Sequence, residues 1–164
     1  NNDPDVEKGR TMGGYDPNTK LSYDLHLPKV IDRWRDIDQT LYESIGNNLK
    51  FYCNHLEKLY PISSDSIIGS NHVDWGYMIK SYSSHHGHYS WHQDEEHYEN
   101  KNRKLAIIWY LNDCEGGFTE FAFGARIKPE KGKMLIFPAS WPFVHRGCPP
   151  TNHTKYIITT FLFS

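Results

Sequence analysis

From Val30 to Tyr60 the apolar residues step at intervals of three and four: Ile31, Trp34, Ile37, Leu41, Ile45, Leu49, Tyr52, Leu56 and Leu59. That spacing gathers them on one stripe of an α-helix and turns the intervening polar residues to water. Gly46-Asn47-Asn48 are poor helix formers in mid-run, so residues 29–60 are expected to form two helices broken there. Such a stripe buttresses a sheet, and Trp34 and Tyr52 need no cofactor to explain them. After Pro61 the pattern shifts to short runs rich in β-branched and aromatic residues, at 75–82, 105–111, 119–123, 134–137 and 156–163. Leu105-Ala106-Ile107-Ile108-Trp109-Tyr110-Leu111 is apolar on both faces and belongs at the centre of a sheet covered on both sides. Residues 1–28 carry Pro4, Pro17, Pro28 and Gly13-Gly14 with little periodicity, which predicts an irregular leader. Helices followed by many strands argue for a helix layer packed on a β-sandwich, with residues 61–164 as the β core.

A chain of 164 residues suits one domain, since halving it leaves two marginal cores. The net charge of −2 and the lack of a basic stripe argue against a nucleic-acid partner. No apolar run reaches membrane-spanning length, so no membrane partner is expected. Cys53, Cys114 and Cys148 are odd in number and widely spaced, which suits free thiols in a reducing, cytoplasmic setting. The chain starts at Asn1 rather than Met, so a removed leader is compatible with it. Asn152-His153-Thr154 matches a glycosylation triplet by pattern only. The pattern leaves oligomeric state open.

His92-Gln93-Asp94 changes the picture. Residues i and i+2 of a strand share a face, so His92 and Asp94 can grip one ion while Gln93 points away. With ten histidines in the chain, one His-x-Asp is weak by itself. It stands, however, in an ordered series: Tyr82, then His92 and Asp94, then Glu115 to Phe121, then Pro129-Glu130-Lys131-Gly132, then His145 and Lys155. Two histidines and a carboxylate can occupy three positions of an octahedral ferrous iron and leave three open, the pattern of a non-haem iron oxygenase.

In these motifs the chain resembles the iron(II)- and 2-oxoglutarate-dependent dioxygenases, most closely the prolyl 4-hydroxylase-like branch. The resemblance runs from Tyr77 to Ser164. It rests on Gly87-His88-Tyr89-Ser90-Trp91-His92-Gln93-Asp94, Tyr110-Leu111-Asn112-Asp113, Gly116-Gly117-Phe118-Thr119-Glu120-Phe121, and the distal His145 with Lys155 ten residues on. Three departures accompany it. Tyr82 stands about one residue farther from the His-x-Asp than the branch pattern, Phe161 replaces a frequent Trp, and Asp94-Glu95-Glu96 is unusually acidic. The resemblance implies the double-stranded β-helix form of the jelly roll. It also implies Fe(II) held by His92, Asp94 and His145, with 2-oxoglutarate as cosubstrate, dioxygen as oxidant and ascorbate as a reductant. The far carboxylate of 2-oxoglutarate is expected to meet Lys155, with Thr119 and Tyr82 beside it. Hydroxylation of an unactivated C–H bond would then release succinate and carbon dioxide. The presence of Asp94 favours hydroxylation over halogenation, since related halogenases lack that carboxylate.

Strand parity tests this without an alignment. Thr119, Phe121 and Phe123 share a face opposite Glu120, so a core position for the phenylalanines turns Thr119 inward. Lys155 likewise shares a face with Ile157, Thr159 and Phe161, where an ammonium is costly unless an anion meets it. The competing ligands fit less well. His85-His86-Gly87-His88 offers a zinc-like cluster without an obvious fourth ligand. His97 lies five residues from His92 on the other face, and only one residue lies between His153 and Lys155. Peptidyl proline is the expected substrate, with Tyr89, Trp91, Trp141 and Arg146 as a groove for an extended chain. A free amino acid or other small molecule is the enzymatic alternative, and a metal-binding jelly-roll sensor the non-catalytic one.

Overall fold

The computed structural model describes residues 3–69, 71–98 and 101–164. In chain order the first strands are β1 (Glu7–Lys8), β2 (Lys20–Leu21), β3 (Tyr23–Leu27), β4 (Val73–Asp74), β5 (Tyr77–Tyr82), β6 (His88–His92) and β7 (His97–Tyr98). They continue as β8 (Lys101–Tyr110), β9 (Thr119–Phe121), β10 (Arg126–Ile127), β11 (Met134–Pro138), β12 (His145–Gly147) and β13 (Lys155–Phe163). Between β3 and β4 lie helix α1 (Arg35–Leu59), entered through a 3-10 turn at Asp32–Trp34, and the short α2 (Ser64–Ile68).

The strands make two antiparallel sheets, the major one ordered β1-β3-β5-β13-β8-β11 and the minor one β10-β9-β12-β6-β2. Facing sheets of this kind form the jelly roll, and α1 adds a third layer behind the major sheet. Strand β8 shows why the layers hold. Leu105, Ile107 and Trp109 pack with Leu41, Ile45, Leu49 and Cys53 of α1, whereas Ala106, Ile108 and Tyr110 join Tyr82, Phe121, Phe137 and Ile157 between the sheets. Both faces of β8 are therefore buried, as its unbroken apolar run requires.

Three expectations need correction. The helical stripe forms one unbroken helix of 25 residues, not two. Gly46, Asn47 and Asn48 lie on its exposed face, and Asn48 donates its side-chain amide to the Ser44 carbonyl at 2.8 Å. The cost of a helical glycine, about 1 kcal/mol, is outweighed by continuous packing of Leu41, Ile45, Leu49 and Cys53. The leader is not irregular either: β3 pairs with β5 in the major sheet, and β2 pairs with β6 in the minor one. Leu25 and Leu27 of β3 pack with the core beneath α1, while Lys20, Ser22 and Asp24, on the opposite parity, are also buried, so one face of this stretch is apolar and the other polar. Lys20 and Asp24 satisfy one another at 2.6 Å, and Ser22 donates to Asp24 at 2.8 Å. Finally, Phe123 is 58% exposed because β9 ends at Phe121 and the chain turns through Gly124 (φ +98°).

Candidate active site

Strands β6 and β12 are neighbours in the minor sheet, and their register sets His92 directly opposite His145. Their ring centroids lie 4.3 Å apart. Asp94 follows two residues beyond the end of β6, its backbone N–H donating to the Ala139 carbonyl at 3.1 Å. Each imidazole directs Nε2 at the carboxylate: His92 to Oδ1 and His145 to Oδ2, both at 3.5 Å. The other ring nitrogens explain that orientation. His92 Nδ1 lies 2.7 Å from the Ser90 carbonyl and His145 Nδ1 lies 3.0 Å from the Phe143 carbonyl. A carbonyl only accepts, so each Nδ1 carries a proton, and Nε2 is the atom left to present a lone pair when the ring is neutral. Burial, ahead of the opposing pull of Asp94, draws His145 below the ordinary histidine range and favours that neutral form.

Three lone-pair donors converging within 4.8 Å of one another repel unless a cation lies among them. The donor set of two imidazoles and one carboxylate fits ferrous iron. It is also the only such group of three or more metal-binding side chains among the described residues. Of the competing histidines, His88 is spent on the carbonyls of His86 and Asn18, at 2.8 and 3.1 Å. His97 lies against Asn102 at 2.5 Å, and His153 is exposed in the loop before β13.

One cavity joins this centre to Tyr82, Thr119 and Lys155. Lys155 is 2% exposed, faces Tyr82 across the β5–β13 ladder, and holds its Nζ 4.7 Å from the Tyr82 ring centre. It donates to the Gly117 carbonyl at 2.8 Å, and no carboxylate of the described residues pairs with it. Burial brings its ammonium down from 10.5 to about 8. An ammonium so placed calls for an anionic ligand. Gly117 is fixed by this contact: at φ +62°, an added Cβ would lie 2.9 Å from Cys114 Sγ and 3.3 Å from Lys155 Cδ.

The structure adds residues that the motif reading passed over. Tyr110 shares a 2.7 Å hydrogen bond between its hydroxyl and that of Thr119. Parity with Ala106 and Ile108, both inward, would have found it. Tyr89 stacks on His92 with ring centroids 3.6 Å apart, and Lys20 Nζ lies 5.4 Å from the Tyr89 ring centre. Arg103 pairs with Glu96, donates to the Asp94 carbonyl at 3.3 Å, and covers the Phe161 ring at 3.9 Å. The acidic run after the His-x-Asp is thereby tied partly to Arg103. Lys80 also lines the cavity. Of the expected groove residues, Tyr89, Trp91 and Arg146 line one depression beside the metal centre, whereas Trp141 is 74% exposed outside that lining. No helix among the described residues is long and apolar enough to cross a membrane.

Comparison with known proteins agrees with this fold. The structure of a viral collagen prolyl hydroxylase from Paramecium Bursaria Chlorella virus-1, in complex with 2OG, superposes with a TM-score of 0.64 at 17% identity, covering 89% of this chain and 80% of that one. A prolyl hydroxylase from Trichoplax adhaerens, bound to a hypoxia inducible factor peptide fragment, gives 0.72 at 14% identity over 98% and 71% of the two chains. A Pseudomonas putida prolyl-4-hydroxylase gives 0.57 at 14% identity over 95% and 76%. At these identities the likeness establishes a shared fold. No curated protein sequence matches the chain. The 2OG-Fe(II) oxygenase superfamily pattern matches residues 77–163, the stretch that carries both histidines, Asp94 and Lys155, and the chain belongs to that superfamily.

Proposed function

We propose that this protein is a dioxygenase hydroxylating an unactivated C–H bond, with peptidyl proline as the substrate, in the manner of a prolyl 4-hydroxylase. The observation that carries the reading is a single cavity bearing three metal-binding side chains and a buried lysine without a carboxylate partner. In this reading His92, Asp94 and His145 hold Fe(II). Lys155 binds the distal carboxylate of 2-oxoglutarate, Tyr82 walls the lysine, and Thr119, oriented by Tyr110, offers a hydroxyl beside it. Bound Fe(II) and 2-oxoglutarate with dioxygen supply oxidative decarboxylation to succinate and carbon dioxide, coupled to hydroxylation, with ascorbate as reductant. The protein's part is orientation and exclusion of water: the Ser90 and Phe143 carbonyls fix both imidazoles, and Ile108, Ile157 and Phe161 wall the cavity. The peptide preference is supported by the exposed groove of Tyr89, Trp91 and Arg146 beside the centre. The test is an anaerobic titration with Fe(II) and then 2-oxoglutarate. A weak visible charge-transfer band that needs both components supports the site, and iron binding without that band refutes it. Proline peptides are then screened for mass gain of one oxygen.

A further inference from the structure

The cavity contains a second lysine that the proposed chemistry does not use. Met78, Lys80 and Tyr82 alternate along β5, and the buried Tyr82 fixes the parity that turns Lys80 inward. Across the ladder Lys80 pairs with Ile157, one inward position along from the Tyr82–Lys155 pair. Two ammonium groups therefore enter one cavity from adjacent strands.

Their surroundings differ. Lys155 is tied to the Gly117 carbonyl, with the thiols of Cys114 and Cys148 near it. Lys80 has no hydrogen bond or ion pair among the described residues, and it lies within the fields of Asp94 and Asp24 on one hand and Lys20 and Arg103 on the other. Asp24 is already committed to Lys20 and Ser22, and Asp94 is held between the two histidines. Lys80 thus stands on the metal side of the cavity with no acid of its own. It also lines a second depression with His26, Trp75, Arg103 and Phe161, and so sits where the metal cavity meets the outer surface.

This inference rests on the oxygenase reading. In that reading 2-oxoglutarate brings two carboxylates, one for Lys155 and one for the metal, and neither is left for Lys80. We propose that Lys80 is a substrate anchor that receives a carboxylate carried by the molecule to be hydroxylated. The substrate class is accordingly acidic: a peptide with Asp or Glu next to the target residue, or a free amino acid or other small carboxylic acid.

The test loads the whole protein with Mn(II) and 2-oxoglutarate and follows paramagnetic broadening of probe proton resonances, which reports nearness to the metal without turnover. The probes are Ac-Glu-Pro-Gly-NH2 against Ac-Gln-Pro-Gly-NH2, and N-acetyl-L-proline against its amide. The acidic member of at least one pair should bind about tenfold or more tightly than its neutral partner, the low end for a hydrogen bond between charged groups. K80M should lose that preference, K80R should keep most of it, and both should bind 2-oxoglutarate as wild type does. The pair that responds identifies peptide or free acid as the source of the carboxylate. Equal broadening within both pairs, or none in either, overturns the anchor. A K80M protein whose 2-oxoglutarate affinity falls also overturns it, because Lys80 would then serve the cosubstrate. The Fe(II)/2-oxoglutarate band is recorded first on wild type. Its absence sinks the oxygenase reading and the anchor together, whereas its presence without acid preference sinks the anchor alone.

Discussion

His92 and His145 are backbone partners across the β6–β12 ladder, and each turns Nδ1 to the carbonyl two residues before it, so the two Nε2 atoms face the same carboxylate. The two histidines of the candidate metal site are thus held by sheet register, while Asp94 is held on the segment just beyond β6 by its backbone bond to Ala139. Asp94→Ala, His92→Ala and His145→Ala are each expected to abolish tight Fe(II) binding and the 2-oxoglutarate band. His153→Ala should leave both intact. Metal content after gel filtration decides it, and loss of iron in His153→Ala but not in His145→Ala would reverse the assignment.

Lys155 sets function against stability. Replacing a buried, uncompensated ammonium by an apolar chain of similar length should stabilise the ligand-free protein by about 1–3 kcal/mol. Lys155→Met should therefore unfold at higher urea concentration while losing 2-oxoglutarate binding and keeping iron. A destabilised Lys155→Met that still gives the band would contradict the role assigned to this lysine.

Alkaline pH should act on the same residue in two directions. The ligand-free folded protein releases the Lys155 proton near 8, against an ordinary value of 10.5. Between those values the unfolded chain binds more protons than the folded one, so stability of the ligand-free protein rises with pH across that window. Affinity for 2-oxoglutarate instead needs the ammonium and should fall above about pH 8. Lys155→Arg should bind more weakly, since its fork does not replace a point charge, yet lack this alkaline decline. Calorimetric titrations at a series of pH values separate the two variants.

Lys20 is 3% exposed, and Asp24, its only carboxylate partner among the described residues, is buried with it. Lys20→Met strands a buried carboxylate and should cost about 3–5 kcal/mol. Lys20→Met with Asp24→Asn should recover part of that. Because Lys20 faces Tyr89 and Tyr89 stacks on His92, the double variant should still bind Fe(II) about tenfold more weakly than wild type. Metal affinity equal to wild type in the refolded double variant would show that Lys20 serves stability alone.

What could be read from sequence follows how each signal is written. The β8 run was legible because hydrophobicity on both faces has one structural meaning. The two histidines, Asp94 and Lys155 were legible because an ordered set of rare chemistry is hard to produce by packing alone. The leader does carry a strand signal, the alternation of Leu21, Tyr23, Leu25 and Leu27 with polar residues, but it spans only about one strand length between Pro17 and Pro28. Its other buried face holds Lys20, Ser22 and Asp24, which satisfy one another by charge and hydrogen bonding. The break at Gly46 was overread because local propensity amounts to about 1 kcal/mol, less than the packing of the four buried residues along α1. Lys80 escaped because no motif names it, although its parity with Tyr82 was available.

The pairing of β2 with β6 and of β3 with β5 has a bearing on how the protein can be dissected. Residues 77–163 carry the family pattern, yet both strands that the leader covers lie inside that stretch. A fragment starting at Tyr77 would open the outer edges of both sheets at once, each with a row of unpaired backbone donors and acceptors. Open edges of that kind recruit strands from other chains. The recognisable catalytic segment is therefore not an autonomous folding unit, and a clone trimmed to the family pattern should aggregate where the full chain stays dispersed.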